Sequence, residues 1–190
     1  LQTIVSRETQ PGQFAVVTVG ALNAGSKSNI IADRAELLLN LRTYDAALRE
    51  QIMAAIERIV RAECQAAGSP QEPGFEYYDQ FPLTDNDPTV NAKVTEAFIK
   101  AFGAEAVYET KPYTASEDFS RIPNAFGIPY AYWFIGSVEP EKYRRAVEQG
   151  TVSQDIPANH SPFFAPEFDP TLEIGIRTQV VAALAYLAQD

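Results

Sequence analysis

The chain has 190 residues, of which 46% are hydrophobic, 11% aromatic and 21% charged. This is the composition of a globular chain able to bury a core without staples, and it excludes a disordered one. Against 25 Asp and Glu there are 15 Lys and Arg, a net charge of −10; both halves are acidic, which excludes general binding of phosphate backbones. 

The single cysteine, Cys64, excludes an internal disulfide and a cysteine-rich zinc ribbon, and is compatible with a reducing compartment. Proline and glycine interrupt the long uncharged stretches, so no membrane span is expected. The opening Leu1-Gln2-Thr3-Ile4-Val5-Ser6-Arg7 has neither a basic leader nor an initiating methionine, and reads as cut from something longer.

Leu1, Ile4 and Val5 have the spacing of one helical face, so Leu1–Glu8 reads as the last turns of a helix ended by Pro11-Gly12. Phe14–Gly20 is rich in β-branched residues and reads as a strand; 21–34 reads as a loop. Over Ala35–Thr43, Leu37, Leu39 and Leu41 alternate onto one face, with Glu36, Leu38, Asn40 and Arg42 on the other. Asp45 is suited to cap a helix whose stripe is Leu48, Ile52, Ile56 and Ile59 and whose end is Gly68. Phe75–Phe81 alternates again and ends at Pro82, giving a third strand.

A boundary falls within 83–87. Asp87-Pro88 opens a helix lined by Val90, Val94, Ala97, Phe98 and Ala101 and closed by Gly103. Ala106–Thr110 and Tyr130–Ile135 read as strands, and Ser116-Glu117-Asp118-Phe119 as a short helix or turn. Glu139–Gln149 reads as a charged surface helix, and Asp155–Pro166 as a loop punctuated by proline. Asp169-Pro170 starts a last helix with Ile176, Val180, Leu184 and Leu187 inward. The first region lacks one strand of the ferredoxin-like split β-α-β motif, whereas the second alternates helix and strand as an α/β layer does.

Few residues offer chemistry. His160, the only histidine, is either an exposed loop residue or a metal ligand or general base; alone it cannot supply the three or four ligands zinc takes. Ser116, Glu117 and Asp118 fit a capped helix start, or a carboxylate that orients a ligand. Arg42 is a snorkelling surface arginine or a fork for a substrate carboxylate, and Asn29 fits turn chemistry. Phosphate loops, dinucleotide fingerprints and nucleophile elbows are missing from the sequence.

In order along the chain, Leu1–Arg7, Val16–Gly20 with Gly25 and Asn29-Ile30-Ile31, Arg42-Thr43, Ser116–Phe119 and Asn159-His160-Ser161-Pro162 resemble the C-terminal part of a metal-dependent amidohydrolase. The family includes aminoacylases, hippurate hydrolases, indoleacetyl-amino-acid hydrolases and related carboxypeptidases. The resemblance implies an α/β protein with an α+β lid. Residues 1–83 would be a lid and dimerisation domain lacking its first strand, and 84–190 the C-terminal half of a zinc-exopeptidase-like catalytic domain.

It further implies a pair of zinc or manganese ions in the parent enzyme, with His160 as one ligand and a general-base glutamate upstream. Asn29 and Arg42 would bind the substrate's carboxylate end, and Ser116, Glu117 and Asp118 would line the site. Ala115 departs from the glycine common at that position. The implied parent is a cytoplasmic homodimer, paired through the lid, that cleaves N-acyl-amino acids or small peptides. These 190 residues by themselves are expected to bind metal poorly and hydrolyse nothing. Two rival readings are a non-catalytic α+β dimerisation or binding module, and a complete hydrolase using His160 with Glu117 or Asp118 at one metal.

Overall fold

A computed structural model describes residues 1–188. The chain is α/β with one small antiparallel sheet. It divides into two compact units, Leu1–Leu83 with Tyr113–Asp118, and Thr84–Pro112 with Phe119 onward.

In the first unit, a five-residue π-helical turn, Ile4–Glu8, leads into β1 (Ala15–Ala24), β2 (Ala35–Thr43) and α1 (Ala46–Ala66). Cross-strand partners share a face. Val17 opposite Leu41 and Val19 opposite Leu39 therefore form one side of the ribbon, and Val16 opposite Arg42 and Thr18 opposite Asn40 the other. The register slips between Val19 and Ala21. Gly20 is thus the extra residue of a bulge, which turns Leu22 onto the face of Leu37 and Leu39. The expected loop over 21–34 is accordingly corrected, because strand pairing persists past the bulge to Ala24 and Ala35.

The apolar side of the ribbon packs on α1. Ile4, Val17, Leu48, Ile52, Ala55 and Ile56 form the core, flanked by Leu39, Leu41 and Ile59. Asp45 caps α1 as expected, its carboxylate accepting from the Leu48 N–H at 2.6 Å, and Gly68 takes the left-handed conformation past the end. Asp45→Ala should lower the stability of the first unit by about 1 kcal/mol, as loss of a helix cap does. Urea unfolding followed by circular dichroism checks this.

The expected third strand over Phe75–Phe81 does not form. The segment lies along the polar side of α1 through side chains instead: Arg61 sits 5.1 Å above the Phe75 ring, and the Tyr77 hydroxyl donates to Glu57 at 2.7 Å. Burial, followed by that hydrogen bond, pushes the Tyr77 phenol up from 10.0 to about 12. A raised pKa means the fold favours the protonated phenol. The stabilisation is complete below pH ~10 and fades as pH rises towards 12. Tyr77→Phe should therefore remove a component of alkaline destabilisation in that window, at a cost of about 1 kcal/mol at neutral pH. Melts of the two proteins from pH 7 to 12 test both parts.

In the second unit, Asp87 caps α2 (Pro88–Phe102), accepting from the Thr89 and Val90 N–H groups at 2.9 Å each. Val94 and Phe98 are buried as expected, and Ala101 is exposed. Ala104–Ala106 is a 3-10 turn, and the strand expected over Ala106–Thr110 is absent. Three short helices follow: α3 (Arg121–Phe126), α4 (Pro140–Gln149) and α5 (Val152–Asp155). The carboxylate of Glu139 caps α4, and its two backbone hydrogen bonds hold its pKa below the usual range.

Residues 130–135, expected as a strand, are without a ladder. The Asn86 side chain stands in for a neighbouring strand, accepting from the Tyr132 N–H at 2.6 Å and donating to its carbonyl at 2.8 Å. Trp133 packs edge-on to Phe98 at 5.2 Å, and Tyr132 and Phe134, two residues apart, meet edge-to-face at 5.5 Å.

The last helix, α6 (Phe168–Leu187), becomes regular at Pro170 after an extended Asp169. Its expected inward face is corrected: Ile176, Val180, Leu184 and Leu187 are 58%, 50%, 54% and 76% exposed. The small face of Thr178, Val181 and Ala185 is the more buried one. α6 packs on α2, and the Gly175 backbone lies beside Ile135. Small side chains let two helices approach closely, whereas among the described residues the bulky stripe stays at least half exposed. No helix among the described residues is long and apolar enough to cross a membrane.

Candidate functional site

Strand β2 carries Arg42 on the side of the ribbon away from α1, opposite Val16 and beside Asn40. Residues two apart on a strand share a face, which is why Asn40 can brace the arginine: Nε of Arg42 donates to Asn40 Oδ1 at 3.1 Å. One Nη1 hydrogen is given to the backbone carbonyl of Thr114, 72 positions along the chain. A guanidinium has five N–H donors in a planar fork, so three remain on its outer edge for an anion.

Thr114 belongs to the stretch Tyr113–Asp118 that clusters with the first unit. Ser116, Glu117 and Asp118 are therefore in the same unit as Arg42. They are non-helical, with a bend at Ala115. The capped-helix explanation for Ser116 does not hold, because α3 starts at Arg121 with Ser120 at its N-cap. Glu117 is half-buried and accepts from the Asp118 N–H at 2.9 Å, while Ser116 and Asp118 are exposed.

Asn29 lies elsewhere. It occupies the turn at the tip of the β1–β2 hairpin, where the Ile30 N–H donates to the Lys27 carbonyl at 3.3 Å. From Ala35, at the end of the ladder, to Arg42 is seven residues, or ~24 Å at about 3.4 Å per residue. One small ligand cannot touch Asn29 and Arg42 of the same copy.

His160 is in the second unit, on an exposed turn closed by the Ser161 N–H on the Ala158 carbonyl at 2.9 Å. Its φ of +44° is in the left-handed region, which costs a non-glycine residue about 1 kcal/mol. Pro157 and Pro162 flank the turn, and Ser161 Oγ accepts from the Phe163 N–H at 3.2 Å. Among the described residues no three His, Cys, Asp or Glu side chains converge on a point that could hold a metal ion. One imidazole is short of the three or four protein ligands zinc takes, so the donors on this chain do not by themselves fit a two-metal centre.

Two participants escaped the sequence reading. Asn40 was legible as a partner of Arg42 from the two-residue strand spacing. The Thr114 carbonyl was not, since a backbone acceptor leaves no mark in residue identity. Ser120, wholly buried with no partner for its Oγ, also gave no signal.

Residues 7–67 match the peptidase dimerisation domain family. The chain is 29% identical over 184 residues to thermostable carboxypeptidase 2 of Saccharolobus solfataricus, covering 96% of this chain and 42% of that protein. It is 33% identical over 132 residues to N-acetyl-L-cysteine deacetylase of Bacillus subtilis, covering 67% of this chain and 31% of that one. A crystal structure from methicillin-resistant Staphylococcus aureus, named as an aminohydrolase, superposes with a TM-score of 0.77 at 26% identity, covering 98% of this chain and 43% of that one. A dinuclear metal-binding peptidase of Bacillus subtilis shares the fold, with a TM-score of 0.65 at 22% identity over 97% of this chain and 43% of that chain. The chain thus spans less than half the length of the relatives it matches.

Proposed function

We propose that this chain, which belongs to the metal-dependent amidohydrolase and carboxypeptidase family and carries its dimerisation domain over residues 7–67, serves a longer enzyme that hydrolyses the amide bond of N-acyl-amino acids or small peptides beside a free carboxylate. The observation that carries this reading is the Arg42 guanidinium, braced by Asn40 and bonded to the Thr114 carbonyl in the stretch that contains Ser116, Glu117 and Asp118. Arginine matches a carboxylate with two parallel hydrogen bonds, which a lysine cannot do.

In this reading Arg42 holds the substrate's carboxylate, Ser116, Glu117 and Asp118 line the site, and His160 is one metal ligand. Residues 1–83 are the ferredoxin-like lid, and 84–190 are the C-terminal half of an exopeptidase-like catalytic domain. The rest of the metal site and the general base belong to the part of the relatives that this chain does not span. Zinc and manganese are the metals this reading expects, and the 190 residues alone hydrolyse nothing. The stripe on α6 supports a larger catalytic domain, because a helix apolar on more than one side is a helix covered on more than one side.

The lid pairs two copies. Leu22, Leu37 and Leu38 are exposed on a ribbon whose outer edges have no strand beside them among the described residues, and open edges of that kind recruit another chain. The ~24 Å of ladder from Ala35 to Arg42, with Asn29 beyond it in the hairpin turn, also suits a homodimer in which the hairpin tip of one copy serves its partner's site. Cytoplasmic residence is part of this reading, supported by the free thiol of Cys64.

The test is the polypeptide encoded by the complete open reading frame, assayed with Zn²⁺ or Mn²⁺ on N-acetyl-amino acids and on their methyl esters. Hydrolysis of the free acids over the esters supports the reading; no hydrolysis of either sinks it. The second reading, a non-catalytic dimerisation module, rests on the match over residues 7–67, and would be favoured by dimers without activity.

A further inference from the structure

We infer that Arg42 is also a positioning residue, one that fastens the stretch Tyr113–Asp118 to the outer face of the β1–β2 ribbon whether or not a carboxylate is bound. This goes beyond the proposed substrate contact and uses a different edge of the same guanidinium.

The argument starts from the topology. Thr84–Pro112 and the chain from Phe119 onward both belong to the second unit, yet the six residues between them cluster with the first. Five of the six are exposed, and none is in a helix or strand. Such a stretch has no backbone ladder to fix it and little apolar burial, so its place depends on specific side-chain contacts. Arg42 supplies one: Nη1 donates to the Thr114 carbonyl, two residues before Ser116.

The donor itself is held. Arg42 is on a paired strand, opposite Val16, and its Nε–H is tied to Asn40 Oδ1 at 3.1 Å. A side chain fixed at both its Cα and its Nε loses little further freedom on making a third bond, so the contact to Thr114 is favoured over the same contact from an unbraced arginine. The same fixing aims the outer edge of the fork. Arg42 therefore ties the loop that leads into Ser116, Glu117 and Asp118 to the strand that would bind substrate. Loss of this arginine disturbs the loop as well as the anion.

The test uses the 190-residue chain, labelled with ¹⁵N, with no ligand present. Amide order parameters of residues 113–117 should resemble ordered backbone in the native chain and fall below ~0.6 in Arg42→Ala. Arg42→Lys, which keeps one donor, should recover part of the order, and Asn40→Ala should lose part of it. The amide resonances of Ile52 and its neighbours, on the other side of the ribbon, report that each variant is folded. Unchanged order over 113–117 in a folded Arg42→Ala overturns the inference, as does failure of both Lys rescue and Asn40 dependence.

A separate titration with N-acetylglycine follows the Arg42 Nε resonance. A shift supports the carboxylate contact, and its absence counts against the proposed substrate role. The two results are independent, since the order parameters are read without ligand.

Discussion

Ile52→Ala should cost the first unit about 3–5 kcal/mol and leave it largely unfolded at 37 °C. Ile52 is fully buried, at 0% exposure, at the centre of a cluster with Ile4, Val17, Leu48, Ala55 and Ile56. Removing a buried isoleucine loses its transfer free energy and leaves a cavity whose walls relax only in part, about 2–5 kcal/mol in total. The upper part of that range applies because the cluster draws on three different elements: the π-helical turn, β1 and α1 all meet at this point. A marginally stable domain has only about 5–15 kcal/mol to lose.

The control is Ile31→Ala at the hairpin tip. Its side chain is 96% exposed, so the change should stay within about 0.5 kcal/mol. Chemical denaturation of both variants decides the point. A drop below 1 kcal/mol for Ile52→Ala would show that this cluster does not hold the unit together.

The second large effect concerns the complete enzyme of the proposed reading. There, His160→Ala should lower metal content and turnover together, by at least about 100-fold. Loss of a group that merely orients a ligand already costs about 10–100-fold. Arg42→Ala should leave the metal content unchanged and depress kcat/KM most for free-carboxylate substrates, with a smaller loss on their esters from the loop that the same arginine fastens. Metal analysis of the purified proteins alongside kinetics separates the two. Full metal occupancy and normal turnover in His160→Ala would remove the histidine from the site.

Arg42 and His160 stand out in the sequence for different reasons. Arg42 was visible as an oddity, a cation on a strand whose other side carries Leu37, Leu39 and Leu41, and the alternation of a strand assigns its face without further information. His160 was visible by its flanking prolines and by being the only histidine, and the structure adds a left-handed backbone. Neither pattern shows what else comes near. The approach of Thr114 to Arg42 bridges 72 positions through a backbone oxygen, and every residue has that atom.

Local chemistry was legible wherever one element decided the outcome. The caps Asp45 and Asp87 and the left-handed Gly68 follow from backbone hydrogen bonds and glycine conformations within a few residues. The stripe Leu48, Ile52, Ile56 likewise follows from helical period alone. What failed needed a partner. Phe75–Phe81, Ala106–Thr110 and Tyr130–Ile135 have strand-like residues, but a strand exists only where another backbone lies alongside, and alternation cannot say whether one does.

The same reason inverted α6. Its bulky residues and its small residues are both apolar, so period and hydrophobicity give two candidate inward faces; the close packing of α2 selects the small one. Sequence by itself determined the main helices, the caps, the resemblance to a family and the short roster of residues able to do chemistry, because each is written in neighbouring side chains. Tertiary structure alone decided which faces are covered, that residues 113–118 join the first unit, and that Asn29 and Arg42 stand at opposite ends of one ribbon. Those are distances between parts of the chain remote in sequence, and no local rule fixes them.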